Sequence, residues 1–582
     1  MKNSSKEEKS YKLLFYYLKN DKFRLFLYVI LTFFMYIPNV LGAIIIGKGL
    51  EALILKQMSG FIFYLSLYEG LYLIAFSFLQ FPRDYLYNYL EIKFIRNVSK
   101  DIYEKYQNLP AIAFEEMGVG ELINRLYSDP ERILELLSRL VRLTCKVIVA
   151  IFVIIIAFKI SFIIGMEILL FAFILGIISY HFFPIIKNTQ KKIKNETDAF
   201  VKEATENITG IREIKSLGIK NNMLRKVNAK IDNLTNQSLK IRNYESFYYN
   251  ATSCIYFVLQ FLILLTCGYL FIKGYFAYSI FLMIERYIWQ IDEVVSNLSE
   301  FGISYNKVKV SLNRIDEVVN NRLFSDEKFG NIELTNPEGI IKFNNVSFKY
   351  RKDEKLTLNK LSLTLNPYRK IAIVGKSGNG KSTLFNLLLR YFDATSGTIT
   401  IDDINIEDLS EKSLRNSISI IRQNPFIFNM SIIDNFKIVK PNVTLKEIKD
   451  VCHKAYIDEY IESLPHKYKT IIGEGGINLS GGQKQRLAIA RTLLLNTKII
   501  LFDEATSALD NESQEYIKKT IDNLVKDHTI IIVAHRLSTI IDADEIYVID
   551  KGTLKAYGSH ETLLKKSEIY KSLYQNEDLK VE

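Results

Sequence analysis

The chain predicts two fold classes in series. The first is an α-helical membrane domain of six transmembrane helices with long cytoplasmic extensions. The second is an α/β domain built around a glycine-rich loop. Three observations carry this. Six apolar runs, each near the ~20 residues a helix needs to cross a bilayer, crowd the first half. After about residue 320 the pattern changes to short β-like runs. One of these ends directly in Gly375-Lys-Ser-Gly-Asn-Gly-Lys381-Ser382. A length of 582 residues suits two large domains better than one.

The spans are read at 25–47, 61–81, 139–158, 161–183, 250–272 and 275–295. One such run could be a buried helix of a soluble protein; six dominated by Phe, Ile and Leu argue against that. Short connections, Lys48–Gly60, Lys159–Ile160 and Lys273–Gly274, follow the first, third and fifth spans. Long ones, 82–138 and 184–249, follow the second and fourth. The long connections are basic: Arg83, Lys93, Arg96 and Lys100 in the first, and Lys187, Lys191, Lys192, Lys194, Lys202, Arg212, Lys215 and Lys220 in the second. Cytoplasmic loops concentrate Lys and Arg, so the long connections and both termini are expected inside. Each reads as helices that leave the membrane and turn, at Pro110 and Gly118-Val-Gly120 in the first and at Gly210 and Gly218 in the second. The expected boundaries are 1–22 for an N-terminal segment, 23–319 for the membrane domain, 320–339 for a linker and 340–582 for the α/β domain.

The mean hydropathy of +0.07 averages two unlike halves. A net charge of +11 can indicate nucleic acid, but the spans make cytoplasmic-side Lys and Arg the better account, so no nucleic-acid partner is expected. Four cysteines without C-x-x-C spacing indicate neither a disulfide framework nor a zinc site. The polar, Lys-rich start carries no cleavable signal pattern. Charges inside the spans, Glu69, Glu167, Glu285, Arg286 and Asp292, are expensive there. They either snorkel and neutralise neighbours or line a polar pathway, for which the sixth span is the best candidate. Trp289, the single Trp, reads as an interfacial or packing residue.

The glycine-rich string fits G-x-x-x-x-G-K-[ST], between the apolar strand Ile371–Val374 and a helix over Ser382–Arg390. Gly375, Lys376, Ser377, Gly378, Asn379, Gly380 and Thr383 form the expected phosphate cradle. Lys381 would neutralise the β- and γ-phosphates, and Ser382 would ligate Mg²⁺. Lys498-Ile-Ile-Leu-Phe-Asp503-Glu504 reads as a second buried strand ending in two acids. Asp503 is placed to hold Mg²⁺ through water and Glu504 to polarise the attacking water. Leu479-Ser480-Gly481-Gly482-Gln483 precedes an apolar helix and reads as a second anion site at a helix N-terminus.

With these motifs in order, the chain resembles a half-size ATP-binding cassette (ABC) transporter of the exporter type over nearly its full length. The resemblance implies ATP and Mg²⁺ as cofactors. It matches Tyr350 to the adenine-stacking aromatic and Gln423 to the glutamine that reaches Mg²⁺ and water. It matches Gly473-Glu474-Gly475 to the loop that meets the intracellular helices, Ser507-Ala-Leu-Asp510 to the D-loop and His535 to the γ-phosphate switch. Phe114 with Gly120-Glu121-Leu122, and Ile214-Lys-Ser-Leu-Gly218, resemble the two coupling regions. It further implies a dimer of half-transporters, homo- or heteromeric; the abundance of Lys, Asn and Ile with a single Trp points to an A/T-rich bacterial genome, and so to a bacterial plasma membrane. Each signature loop, Ser480–Gln483, would close over ATP held by the other chain. The expected activity is ATP-driven export of a hydrophobic, amphipathic or peptide substrate by alternating access. The alternatives are a siderophore-type importer of the same architecture and an ATP-gated channel or regulator. The spans argue against a soluble cassette protein, and the short N-terminal segment argues against a fused processing protease.

Overall fold

The structure is a computed structural model, and it describes residues 13–275, 277–321, 324, 326–350, 355–473, 476–503, 511–533 and 540–578. It divides into two compact units, Met1–Asn108 with Met117–Ser325, and Leu109–Glu116 with Asp326–Glu582.

The first unit is helical. Among the described residues, five helices are long and apolar enough to cross a membrane: α1 Leu13–Ile54, α2 Met58–Gln107, α3 Val119–Ile160, α4 Phe162–Thr209 and α5 Lys220–Ile272. At 1.5 Å per residue, the 50 residues of α2 reach about 75 Å, more than twice a hydrocarbon core. The long connections are therefore the same helices continued beyond the bilayer. They break at the expected glycines: Gly118 and Gly218 have φ of 72° and 66°, a left-handed backbone that favours glycine. Each break is flanked by a short helix, Ala111–Met117 and Ile211–Ser216.

The sixth expected span is the exception. Its residues fall on α6, Tyr278–Val319, which is helical but does not meet the same criterion. Glu285, Arg286, Asp292 and Glu293 crowd its first half and leave no clean apolar stretch. The side chain of Asp292 lies outside what the structure describes. The membrane unit's core gathers Val153, Ile164, Ile168 and Phe171 with Ile263, Tyr287 and Ile288 from α3, α4, α5 and α6. Glu167 is held inside the unit by Thr266, whose hydroxyl donates to it at 2.7 Å. Trp289 is 56% exposed, so it packs into no core.

The described residues of the second unit hold three sheets. The strands are β1 Ile341–Phe348, β2 Leu358–Leu365, β3 Lys370–Val374, β4 Ser396–Ile401, β5 Ile404–Asn405, β6 Ile418–Ile421, β7 Met430–Ser431, β8 Ile471–Ile472, β9 Ile499–Asp503, β10 Thr529–Val533, β11 Glu545–Asp550 and β12 Thr553–Gly558. β2-β1-β4-β5 form an antiparallel sheet, β7-β8 a small pair, and β12-β11-β3-β10-β9-β6 the main sheet. In the main sheet all neighbours are parallel except β11 and β12. The period-2 alternation of strands splits the side chains between two cores. Ala372, Phe502, Ile532 and Val548 enter one, and Ile371, Ile373, Leu501 and Ile531 enter the other. Burial on both faces explains why these strands read as unbroken apolar runs.

Candidate active site

The parallel strands β3, β10, β9 and β6 present their carboxyl ends on one edge of the sheet, where open α/β sheets place their ligands. Three of the singled-out stretches leave from that edge. The glycine-rich loop begins at Gly375 after β3, and Asp503 closes β9. Gln423 follows β6 by two residues. Glu504, Ser507–Asp510, His535, Glu474 and Gly475 lie outside the described residues.

The loop is shaped by its glycines. Gly378 and Gly380 have φ of 81° and 90°. A Cβ on Gly380 would approach Leu358 Cδ2 to 2.8 Å and Thr357 O to 3.1 Å, and one on Gly375 would collide with the Ile549 carbonyl oxygen. Gly380 is also the N-cap of α7, Lys381–Leu388. Lys381 is buried, and its ammonium donates back to the carbonyls of Gly375 at 2.8 Å and Lys376 at 3.1 Å. A buried ammonium, a helix N-terminus and a glycine-lined turn therefore converge on one spot of positive potential. That suits a polyphosphate.

Ser382 donates its hydroxyl to Asp503 Oδ1 at 3.2 Å, joining the first turn of α7 to the end of β9. Tyr350 and Thr383 share a hydroxyl hydrogen bond of 3.0 Å. The Tyr350 ring meets Phe348 and Phe392 edge-on, with centroids 4.9 and 5.1 Å away, which fixes it beside the same turn. The second glycine string stands apart. Ser480 instead caps α8, Gly481–Leu493: its Oγ accepts from Gln483 N–H at 3.3 Å, and Gln483 Oε1 accepts from Ser480 N–H at 2.9 Å.

One contact of a motif residue, and one residue outside the motifs, escape sequence reading. Asn379 donates to Asp550 Oδ1 at 2.9 Å and so ties the loop to the end of β11. Gln485, buried in α8, donates to the Arg422 carbonyl at 3.1 Å and so steadies the stretch carrying Gln423. The one sequence signal for Gln485 is a polar residue on the apolar side of a helix.

Comparison with known proteins identifies the ensemble. The profile of the ABC transporter transmembrane region matches residues 25–290, and that of the ABC transporter domain matches residues 358–507. A Bacillus subtilis (strain 168) protein, named as the multidrug export ATP-binding/permease protein YgaD, is 30% identical over 515 residues, covering 88% of each chain. This chain belongs to the ABC transporter family. A second ABC protein, named as a multidrug export ATP-binding/permease protein of Staphylococcus aureus (strain NCTC 8325 / PS 47), is 31% identical over 506 residues, covering 86% of this chain and 87% of its own. The fold of a bacterial Atm1-family ABC exporter with ATP bound superposes with a TM-score of 0.80 at 24% identity, over 96% of this chain and 98% of that one. The transporter is thus an ATP-binding membrane protein that couples ATP hydrolysis to export, and the importer alternative falls away.

Proposed function

We propose that the transporter works as a dimer of half-transporters with six spans each, both termini cytoplasmic, moving a hydrophobic, amphipathic or peptide substrate out of a bacterial cell by alternating access. The relatives' names, which refer to multidrug export, favour the amphipathic end of that range. The observation that carries the reading is the Ser382–Asp503 hydrogen bond beside the buried Lys381. It sets a hydroxyl and a carboxylate oxygen together at a phosphate-binding turn, the donor set a hard dication takes.

In this reading Lys381 and the amides of Gly375–Thr383 grip the β- and γ-phosphates, and Tyr350 stacks on adenine. Ser382, Asp503 and Gln423 hold Mg²⁺, whose charge offsets that of the phosphates. Glu504 orients and deprotonates the attacking water, and His535 senses the γ-phosphate. Ser480, Gly481, Gly482 and Gln483 of each chain close over the nucleotide of the other. To drive the cycle, ATP must favour the closed dimer over the open one by several kcal/mol.

The test is ATP hydrolysis by the purified chain in lipid vesicles beside Glu504→Gln. Turnover in the parent, lost in the variant with ATP binding intact, is expected. Loss of ATP binding in the variant would misplace the chemistry. No turnover in either, with ATP bound, would point to a missing partner half-transporter, an obligatory substrate or the channel-like alternative.

A further inference from the structure

Arg286 has no ion pair among the described residues although it sits inside the sixth expected span. Its one hydrogen bond among the described residues runs from Nη1 to the Tyr68 hydroxyl at 3.2 Å, and its guanidinium carbon lies 5.8 Å from the centroid of the same ring. A guanidinium offers five N–H donors, so a neutral phenol leaves most of its capacity and all of its charge unanswered. Glu285 and Glu69, next in sequence to Arg286 and Tyr68, project ~100° away on their own helices.

The surroundings are aromatic and fixed. Tyr68 and Tyr72 on α2 pack at a centroid distance of 4.8 Å, and Tyr72 stacks with Phe76 at 6.1 Å and 8°. Both tyrosine rings rest on α1, where a Cβ at Gly42 would stand 3.2 Å from each. The ladder runs into a π-helical turn, Ile74–Leu79, a departure that recurs at functional sites. On the other side α6 is locked to α1: Tyr287 donates to Val40 O at 3.1 Å and Gln290 to Asn39 O at 2.6 Å. That rotation buries Tyr287 and Ile288 and leaves Arg286 and Trp289, three residues apart on one helix face, exposed. A charge facing lipid at this depth is costly, so such a face belongs to a water-accessible pathway.

We propose that Arg286, with Tyr68, Tyr72 and Trp289, is a substrate-recognition point for amphipathic organic anions: a carboxylate or sulfonate on a flat apolar body. The anionic group takes the free donors of the guanidinium in a fork that a lysine cannot reproduce. The flat body lies against exposed Trp289 and the half-buried Tyr68 and Tyr72. The proposal rests on the export reading above and names the substrate class for it.

The test uses two xanthene dyes of matched skeleton and opposite charge, carboxyfluorescein and rhodamine 123, and inside-out vesicles from cells expressing the full chain. The readout is the ratio of their ATP-dependent uptake rates, which does not depend on how much protein folds. The parent is expected to prefer carboxyfluorescein. Arg286→Gln should lower the ratio at least tenfold, with Arg286→Lys in between. Trp289, the only Trp, gives a second readout, because carboxyfluorescein should quench its fluorescence in phosphatidylcholine vesicles at lower concentration in the parent than in Arg286→Gln. Equal uptake of the two dyes, or a ratio unmoved by Arg286→Gln, overturns the proposal. So does quenching that answers to phosphatidylglycerol and not to the dye, which would give Arg286 to a lipid phosphate. Hydrolysis sensitive to Glu504→Gln without uptake of either dye removes the anion class alone. Absence of hydrolysis bears on the partner of the chain and not on the anion site, which quenching then still decides.

Discussion

Ser480 carries two jobs that a graded substitution series separates. Its hydroxyl caps α8 within a reciprocal box with Gln483, and in the proposed dimer it also faces the partner's nucleotide. Removing a Ser cap by Ala costs about 0.5–2 kcal/mol, Gly only a few tenths, and Asp caps as well as Ser. Against the ~5–15 kcal/mol that holds a domain together, Ser480→Ala remains folded, so stability alone removes little activity. Asp acts differently: it keeps the cap and puts a negative charge where phosphates would dock. At ~4 Å such a charge repels another by about 1 kcal/mol in water and about 4 kcal/mol near a protein surface. Turnover should then fall between about fivefold and about a thousandfold in Ser480→Asp, while unfolding shifts little from the parent. The assay pairs ATP hydrolysis in lipid vesicles with urea unfolding of the same samples. Wild-type hydrolysis by Ser480→Asp, or losses across Ala, Gly and Asp that follow cap strength alone, would refute the reasoning.

Three further outcomes follow from the same geometry. Lys381→Ala removes two charge-assisted hydrogen bonds to the loop together with its positive charge, so hydrolysis should drop by about a hundredfold or more; hydrolysis at the parent rate would sink the phosphate role. The Cys452 thiol, buried and pushed up to about 12 by desolvation, should resist maleimide at neutral pH until the cassette unfolds, and rapid labelling of the folded chain would contradict its placement. Cysteine placed at Gln57, in the break between α1 and α2, should label from outside, and at Asn222, near the start of α5, only from inside; the reverse pattern would invert the topology.

What could be read in advance is what the backbone enforces locally. The first five spans need only length and apolarity, and the turns at Gly118 and Gly218 need a left-handed φ that glycine supplies. The phosphate loop is legible for the same reason, since Gly375 and Gly380 meet neighbours too close for a side chain and Gly378 holds a left-handed φ. The sixth span was harder because its charges break the apolar signal that defines a span. The supporting contacts were invisible because they join residues far apart in the chain: Asn379 to Asp550 across 171 positions, Gln485 to Arg422 across 63, and Arg286 to Tyr68 across 218. Sequence spacing does say that adjacent Glu285 and Arg286 point apart on a helix, and no ion pair joins them among the described residues. It cannot say what each then faces, because that depends on how α6 is rotated. Tyr287 and Gln290 set the rotation through two carbonyls of α1. The same two hydrogen bonds that close the membrane core therefore decide which charge is left to meet a substrate.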